Sequence, residues 1–191
     1  MTDSEQFEAF MKAYQNMVFT TAMRLLGNAA EAEDISQEVF LRAYDRFESI
    51  KDHPKVGGWL RTVARNLSLN HLTRYRARWR LFTEMRSADS EQTPYQDEIE
   101  SKDRTDSRAE AMDQGGLMES FLAELPAKQR VPLVLYHFDE LSYEDIARVL
   151  KVSLGKVKTD IRRGRERLRE RLSKSEAARQ EWGLEMPMAQ S

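Results

Sequence analysis

Residues 141–172 read LSYEDIARVLKVSLGKVKTDIRRGRERLRERL, and this stretch has the pattern of a helix-turn-helix. Ser142 is predicted to cap a short helix that ends near Leu150, and the turn 151–153 leads to a longer helix capped by Ser153. Apolar residues recur at helical steps and are expected to face the core: Ile146, Ala147, Leu150, Val157, Ile161, Leu168 and Leu172. Such a module places its second helix in the major groove of DNA.

The remaining face of the second helix is polar and mostly basic. Lys158, Arg162 and Arg163 suit guanine acceptors or phosphates, and Thr159 suits a thymine methyl group or a backbone oxygen. Four further arginines are expected to contact phosphates: Arg165, Arg167, Arg169 and Arg171. A generic helical hairpin has the same spacing, but the abundance of arginine favours DNA binding.

Two further helices are predicted just before this motif. The first contains Leu117, Phe121 and Leu122, and Pro126 suits the first turn of the second. Because Pro132 lies inside the second helix and lacks an N–H group, we expect a kink or a late helix start there.

The N-terminal part of the chain predicts three helices. The first spans about 7–25 and stops at Gly27; Asn28 caps the second, whose apolar face includes Val39 and Phe47. Pro54 and the Gly57–Gly58 pair predict a loop over 48–58, and the third helix is expected to start near Trp59.

Helical periodicity fails over 48–58 and again over 87–113. Residues 87–113 are acidic and rich in Ser, Asp, Glu and Thr, so they predict a flexible linker. The predicted fold is therefore all-α, with two small helical domains, 1–86 and 114–174. A C-terminal tail, 175–191, follows; it is expected to be either a disordered end, which we favour, or a docking segment.

Charge is segregated along a chain whose net charge is only −2. Residues 59–86 carry 7 basic and 1 acidic side chains, and residues 148–174 carry 11 and 3. Two basic blocks, each within a helical pattern, indicate a nucleic-acid partner.

Several classes of protein are excluded or disfavoured by composition. The chain has no Cys, which excludes disulfides and thiol catalysis, and no run of about 18 apolar residues that could span a membrane. His53, His71 and His137 lack ligand spacing, so no metal or other cofactor is expected. With neither a phosphate-binding loop nor a secretory signal, we expect a cytoplasmic protein that is not an enzyme.

Several motifs occur together in a fixed order. They are AEDISQEVFLRAY at 32–44, WLRTVARN at 59–66, LP at 125–126, LSYEDIA at 141–147 and GKVK at 155–158. Over about 5–172 the chain resembles the sigma-70 family of bacterial RNA polymerase sigma factors, in its small extracytoplasmic-function (ECF) group. In that family, two helical domains give core polymerase its promoter specificity.

The resemblance implies roles for the first domain. It would dock on the β′ clamp helices of polymerase through the exposed face of 31–47. The implied residues are Asp34, Gln37, Glu38 and Arg42. An ordinary solvated helix face would show the same pattern. The loop 48–58 would hold a base flipped from the −10 element. The single strand would be contacted by Arg61, Arg65, Asn66 and Asn70, and the duplex backbone upstream by Arg74, Arg76 and Arg78.

The resemblance also implies that the second domain reads the −35 element as duplex, through Lys158, Thr159, Arg162 and Arg163, and meets the polymerase β flap. An anti-sigma factor is the expected inhibitor.

Two residues depart from the family pattern. Gly164 replaces the usual Ala at a cost of about 1 kcal/mol, and Asp160 is expected to repel phosphate or to accept from a cytosine amine.

Two other functions fit the residues without the resemblance. A helix-turn-helix regulator would bind duplex DNA by itself and use 1–86 for oligomerisation or ligand binding. A helical adaptor would bind only protein. Restored promoter-specific transcription with core polymerase separates a sigma factor from both.

Overall fold

The computed structural model of the protein describes residues 3–86 and 116–175, and between 75 and 86 it describes only the backbone. The chain divides into two units, Met1–Arg104 and Thr105–Ser191. All regular elements in the described ranges are helices, which confirms the predicted all-α fold with two helical units. The predicted linker 87–113 and residues 176–191 of the tail lie outside the described residues.

The N-terminal unit contains four of the described helices: α1 (Asp3–Leu26), α2 (Ala29–Tyr44), α3 (Phe47–Ile50) and α4 (Val56–Arg86). Gly27, at φ 67°, ends α1 as predicted, and the Asn28 side chain accepts a hydrogen bond from the Glu31 N–H at 3.0 Å to cap α2. Helices α1, α2 and α4 pack against one another. Their shared core includes Val18, Ala22, Met23, Leu25, Ile35, Val39, Ala43, Leu60 and Ala64.

The predicted loop 48–58 is wrong at both ends. Phe47 does not continue α2 but begins the short helix α3, where it is buried against Phe7 and Phe10. Helix α4 starts at Val56 rather than near Trp59, because Val56 is buried and its N–H donates to the His53 carbonyl at 3.0 Å. The Gly57–Gly58 pair therefore lies in the first helical turn, and the connection between α3 and α4 spans only 51–55.

The C-terminal unit also contains four described helices: α5 (Leu117–Ala123), α6 (Ala127–His137), α7 (Tyr143–Leu150) and α8 (Leu154–Lys174). The Ser142 hydroxyl accepts from the Asp145 N–H at 3.1 Å, and the Ser153 hydroxyl accepts from the Lys156 N–H at 3.2 Å. Both predicted caps are confirmed, and with them the helix-turn-helix of α7 and α8. The core of the C-terminal unit includes Leu122, Leu135, Ile146, Val157 and Ile161. On α8, Leu168 and Leu172 pack on Leu117 and Phe121.

Of the two alternatives predicted at Pro132, a kink or a late helix start, the late start is wrong. The helix begins at Ala127, directly after Pro126, and continues through Pro132 to His137. The Pro126 carbonyl accepts from the N–H groups of Gln129 and Arg130, both at 2.9 Å, which closes the first turn. Burial of Pro132 and of its neighbours Val131 and Leu133 offsets the missing hydrogen bond.

Gly164 has a packing role that its position in the sequence does not show. A Cβ atom at this position would lie 3.2 Å from the backbone oxygen of Gln129 on α6. The missing side chain therefore permits a close approach of α8 to α6, which offsets the helix propensity lost at a mid-helix glycine.

Within residues 3–86 and 116–175, none of the helices combines the length and the apolar character needed to cross a membrane.

Candidate functional site

Helix α8 presents a polar face opposite its buried side. Val157 and Ile161 are buried, whereas Lys158, Arg162 and Arg163 are exposed and Thr159 is half-buried. The structure therefore brings the four residues predicted to read duplex DNA onto one accessible face of the second helix of the motif. Hydrogen-bond donors of this kind can reach base edges in a major groove or phosphates beside it.

Ion pairs divide the cations of α8 into two groups. Arg162 Nη1 lies 2.7 Å from Glu166 Oε1, Lys156 Nζ lies 3.0 Å from Asp160 Oδ2, and Arg171 pairs with Glu124. By contrast, Lys158 and Arg163 form no ion pair with any residue that the structure describes, and the same is true of Arg167 and Arg169 further along the helix. Of the four residues predicted to read duplex DNA, Lys158 and Arg163 are therefore the cations that can contact DNA without breaking an internal ion pair.

Asp160 does not face DNA as the sequence suggested. Its side chain is buried, on the same side of α8 as Val157 and Gly164, and it is neutralised by Lys156. The spacing explains this position, because residues three and four apart share a helix face. The expectation that Asp160 repels phosphate or contacts cytosine is wrong.

Two arginines expected to contact phosphates are engaged within their own unit. Arg165 Nε donates to His137 Nε2 at 3.1 Å, and its guanidinium lies 5.2 Å from the ring centroid of Tyr136. Arg171 Nη1 lies 2.6 Å from the Glu124 carboxylate. Both contacts hold α8 against the preceding helices, while Arg167 and Arg169 are exposed.

The partly buried position of His137, beside Arg165, is expected to make the stability of the C-terminal unit depend on pH. Burial lowers the pKa of His137 below 6.5, and the nearby Arg165 charge adds to this effect. As pH falls through about 6.5, His137 becomes protonated in the unfolded chain while it is still neutral in the folded chain.

We expect the free energy of unfolding of the C-terminal unit to fall as pH decreases from about 6.5 to the lowered pKa of His137. Urea unfolding across pH 5–8 measures this, and His137→Gln should show a shallower slope; an equal slope contradicts the assignment.

Helix α4 carries the residues predicted to contact the −10 strand. Arg61, Asn66, Asn70 and Arg74 are exposed and Arg65 is half-buried, whereas Val56, Leu60, Ala64 and Ser68 form the buried stripe of the helix. They form two rows, Arg61 with Arg65 and Asn66 with Asn70 and Arg74. Because neighbouring residues are about 100° apart around a helix, a strand that contacts both rows must cross the helix. The side chains of Arg76 and Arg78 lie outside the described part of α4.

The connection 51–55 is anchored at its start. Phe47 packs edge-on against Phe7 and Phe10 at 5.1 and 5.4 Å between ring centroids, and Lys51 Nζ lies 5.7 Å from the Phe47 ring. Within the connection, His53 Nδ1 accepts a hydrogen bond from the Lys55 N–H at 3.1 Å. These contacts hold an exposed loop beside the first turn of α4.

The outer face of α2 combines charge with exposed apolar surface. Asp34, Gln37 and Arg42 are exposed, and Arg42 Nε lies 2.9 Å from the half-buried Glu38 carboxylate. Leu41 and Tyr44, which the sequence analysis missed, are 63% and 62% exposed. Leu41 lies outside the buried stripe of Ile35, Val39 and Ala43. This position relative to the stripe indicates in the sequence that Leu41 is an exposed apolar residue. An exposed apolar patch beside polar groups is typical of a protein-binding surface.

The histidines contact separate neighbours. His71 Nε2 lies 3.5 Å from Glu31 Oε2, whereas His53 and His137 make the contacts described above. Among the residues that the structure describes, no group of three or more potential metal ligands is found.

Comparison with known proteins matches both units to one family. The model of Sigma-70 region 2 matches residues 10–78, and that of Sigma-70 region 4 matches residues 116–168. The ECF RNA polymerase sigma factor SigW of Bacillus subtilis is 31% identical over 170 residues, which cover 89% of this chain and 90% of SigW. The ECF sigma factor SigE of Mycolicibacterium smegmatis is 33% identical over 88% of this chain and 62% of that protein.

Among solved structures, the sigma factor RpoE of Bartonella quintana, in complex with the anti-sigma factor NepR, aligns with a TM-score of 0.45 and 23% identity. The alignment covers 88% of this chain and 98% of that one. The two family regions occur here in order, one in each helical unit, and SigW matches across both. The chain therefore belongs to the ECF group of the sigma-70 family of RNA polymerase sigma factors.

Proposed function

We propose that this sigma factor directs core RNA polymerase to promoters by reading −35 duplex with its C-terminal unit and trapping the opened −10 strand with its N-terminal unit. One observation carries the proposal: each unit that matches a family region presents an exposed basic helix face. Polymerase carries out the chemistry, and the sigma factor, which is not an enzyme, acts in the cytoplasm where polymerase is found.

In the C-terminal unit, α8 enters the major groove at −35. Arg162 and Arg163 reach guanine edges or phosphates, Lys158 contacts phosphate, and Thr159 contacts a thymine methyl group or a backbone oxygen. The accessibility of these side chains and the packing of α8 against α6 and α7 favour this assignment.

In the N-terminal unit, the unpaired non-template strand crosses α4. Asn66 and Asn70 offer amides that can pair with base edges, while Arg61 and Arg65 hold phosphates. The 51–55 connection receives a flipped base, and Arg74, Arg76 and Arg78 contact the duplex backbone upstream. Capture of the open strand shifts the melting equilibrium, because this strand is bound only when unpaired.

Polymerase binds the outer face of α2. Asp34, Gln37, Glu38 and Arg42 contact the β′ clamp helices, and the C-terminal unit meets the β flap. Exposed Leu41 supplies apolar area at the centre of the α2 face. When both units are held on one polymerase, the two weak DNA contacts act together by avidity. An anti-sigma factor that covers the outer face of α2 or the DNA-contacting faces of α4 and α8 would inhibit the protein.

Strand capture is tested by Asn66→Ala in the full chain bound to core polymerase. We expect about tenfold weaker binding to a single-stranded oligonucleotide with the non-template −10 sequence of a promoter used by wild type, because a base-edge hydrogen bond is lost. Binding to −35 duplex should not change. Asn16→Ala, at an exposed position of α1, is the matched control. Equal binding by both variants would reject the assignment of Asn66.

A further inference from the structure

A carboxylate lies on the exposed face of α8 beside the residues assigned to −35. Glu166 is one helical turn beyond Arg162, and Arg162 Nη1 lies 2.7 Å from Glu166 Oε1. Both side chains remain accessible, at 65% for Arg162 and 54% for Glu166. The pair is therefore on the surface that DNA would approach, and not part of the packing between helices.

The position of Glu166 places it close to a duplex that contacts the face of α8 formed by Thr159, Arg162 and Arg163. Thr159 and Glu166 are seven residues apart, about two turns of helix, so they project in nearly the same direction. Arg162 and Arg163 lie between them on the same face. A duplex that reaches Thr159 and Arg162 therefore brings its phosphates near the Glu166 carboxylate.

This placement has two physical consequences. The carboxylate offsets the charge of Arg162 and so reduces its attraction for phosphates, which weakens sequence-independent binding. It also pairs with one donor group of Arg162 and so favours one direction of the guanidinium, with the other donors left for DNA. A base with two acceptors, such as guanine, can pair with these donors, whereas a base without acceptors leaves them without a partner.

We propose that Glu166 is a specificity-determining positioning residue that orients Arg162 toward one base of the −35 duplex and penalises DNA lacking that base. The inference rests on the proposed role of α8 in reading −35. It adds a function for an acidic residue where electrostatics alone would favour a basic one.

The test compares Glu166→Gln with Glu170→Gln in the full chain bound to core polymerase. Glu170 forms the equivalent pair with Lys174 one turn further on, at 2.6 Å, so both variants lose one charge and one surface ion pair. The measurements are transcription from a promoter library randomised at −35 and binding to a duplex without a promoter.

We expect Glu166→Gln to bind the non-promoter duplex about 3- to 10-fold more tightly and to lose about tenfold of its preference at one −35 position. Glu170→Gln should keep the wild-type base preference. In an Arg162→Ala background, Glu166→Gln should have no further effect on that preference, because the two residues act together.

The possible failures are distinguishable. If wild type prefers particular −35 bases and Glu166→Gln keeps the whole preference, the role of Glu166 is rejected while the proposed function stands. If wild type itself shows no −35 preference, the reading of −35 by α8 is rejected, and the role of Glu166 with it.

Discussion

Replacing Leu60 by Ala is expected to lower the free energy of unfolding of the N-terminal unit by about 2–5 kcal/mol. Leu60 is fully buried on α4, where that helix packs against α1 and α2. The substitution removes buried apolar surface and leaves a cavity that rigid helices cannot fill. Native-state hydrogen exchange, read on peptides from α1 and α2, isolates this unit from the other.

Leu41→Ala is the matched control, since it makes the same substitution in the same unit at a side chain that is 63% exposed. Its stability change should be within about 0.5 kcal/mol. Similar losses in the two variants would mean that the packing described for α4 is wrong. The comparison also bears on function, because Arg61, Asn66 and Asn70 are exposed on α4, the helix that Leu60 packs against α1 and α2.

The double variant Lys158→Ala/Arg163→Ala is expected to weaken binding of the −35 duplex by about 2–4 kcal/mol, or about 30- to 1,000-fold. Lys158 and Arg163 form no ion pair within the described ranges, so each can contact DNA without first breaking an internal ion pair. The salt dependence of binding should also become shallower, because fewer counterions are released. Titration of promoter duplex into the polymerase complex at several salt concentrations measures both effects.

Arg171→Ala provides the comparison within the same helix. Arg171 is already paired with Glu124, so its removal should change −35 binding several-fold less than the double variant does. If Arg171→Ala weakened binding as much as the double variant, the division of α8 cations into paired and available groups would be refuted.

Much of the fold follows from local rules that the sequence displays. The caps at Asn28, Ser142 and Ser153 are formed by side chains that bond to an N–H only three residues away. The buried stripes of α2 and α8 follow from helical spacing. The same spacing leaves the residues predicted to contact DNA, where the structure describes their side chains, outside the buried stripes, which is why their accessibility could be anticipated.

Contacts between distant residues could not be anticipated. Arg165 meets His137 across 28 residues of sequence, and Arg171 meets Glu124 across 47. No local pattern distinguishes these arginines from Arg162 and Arg163. Likewise, Gly57 and Gly58 looked like a loop because glycine is a poor helix former, but burial of Val56 draws them into the first turn of α4.

We propose that one chain makes two DNA contacts of different kinds, which polymerase brings to a single promoter. The most direct test mixes the purified full chain with bacterial core RNA polymerase and maps transcription starts on a pool of genomic fragments. We expect a stable complex that initiates at discrete sites, each preceded by two shared sequence elements. Failure to associate with core enzyme, or the same scattered starts as core enzyme alone, would contradict the account.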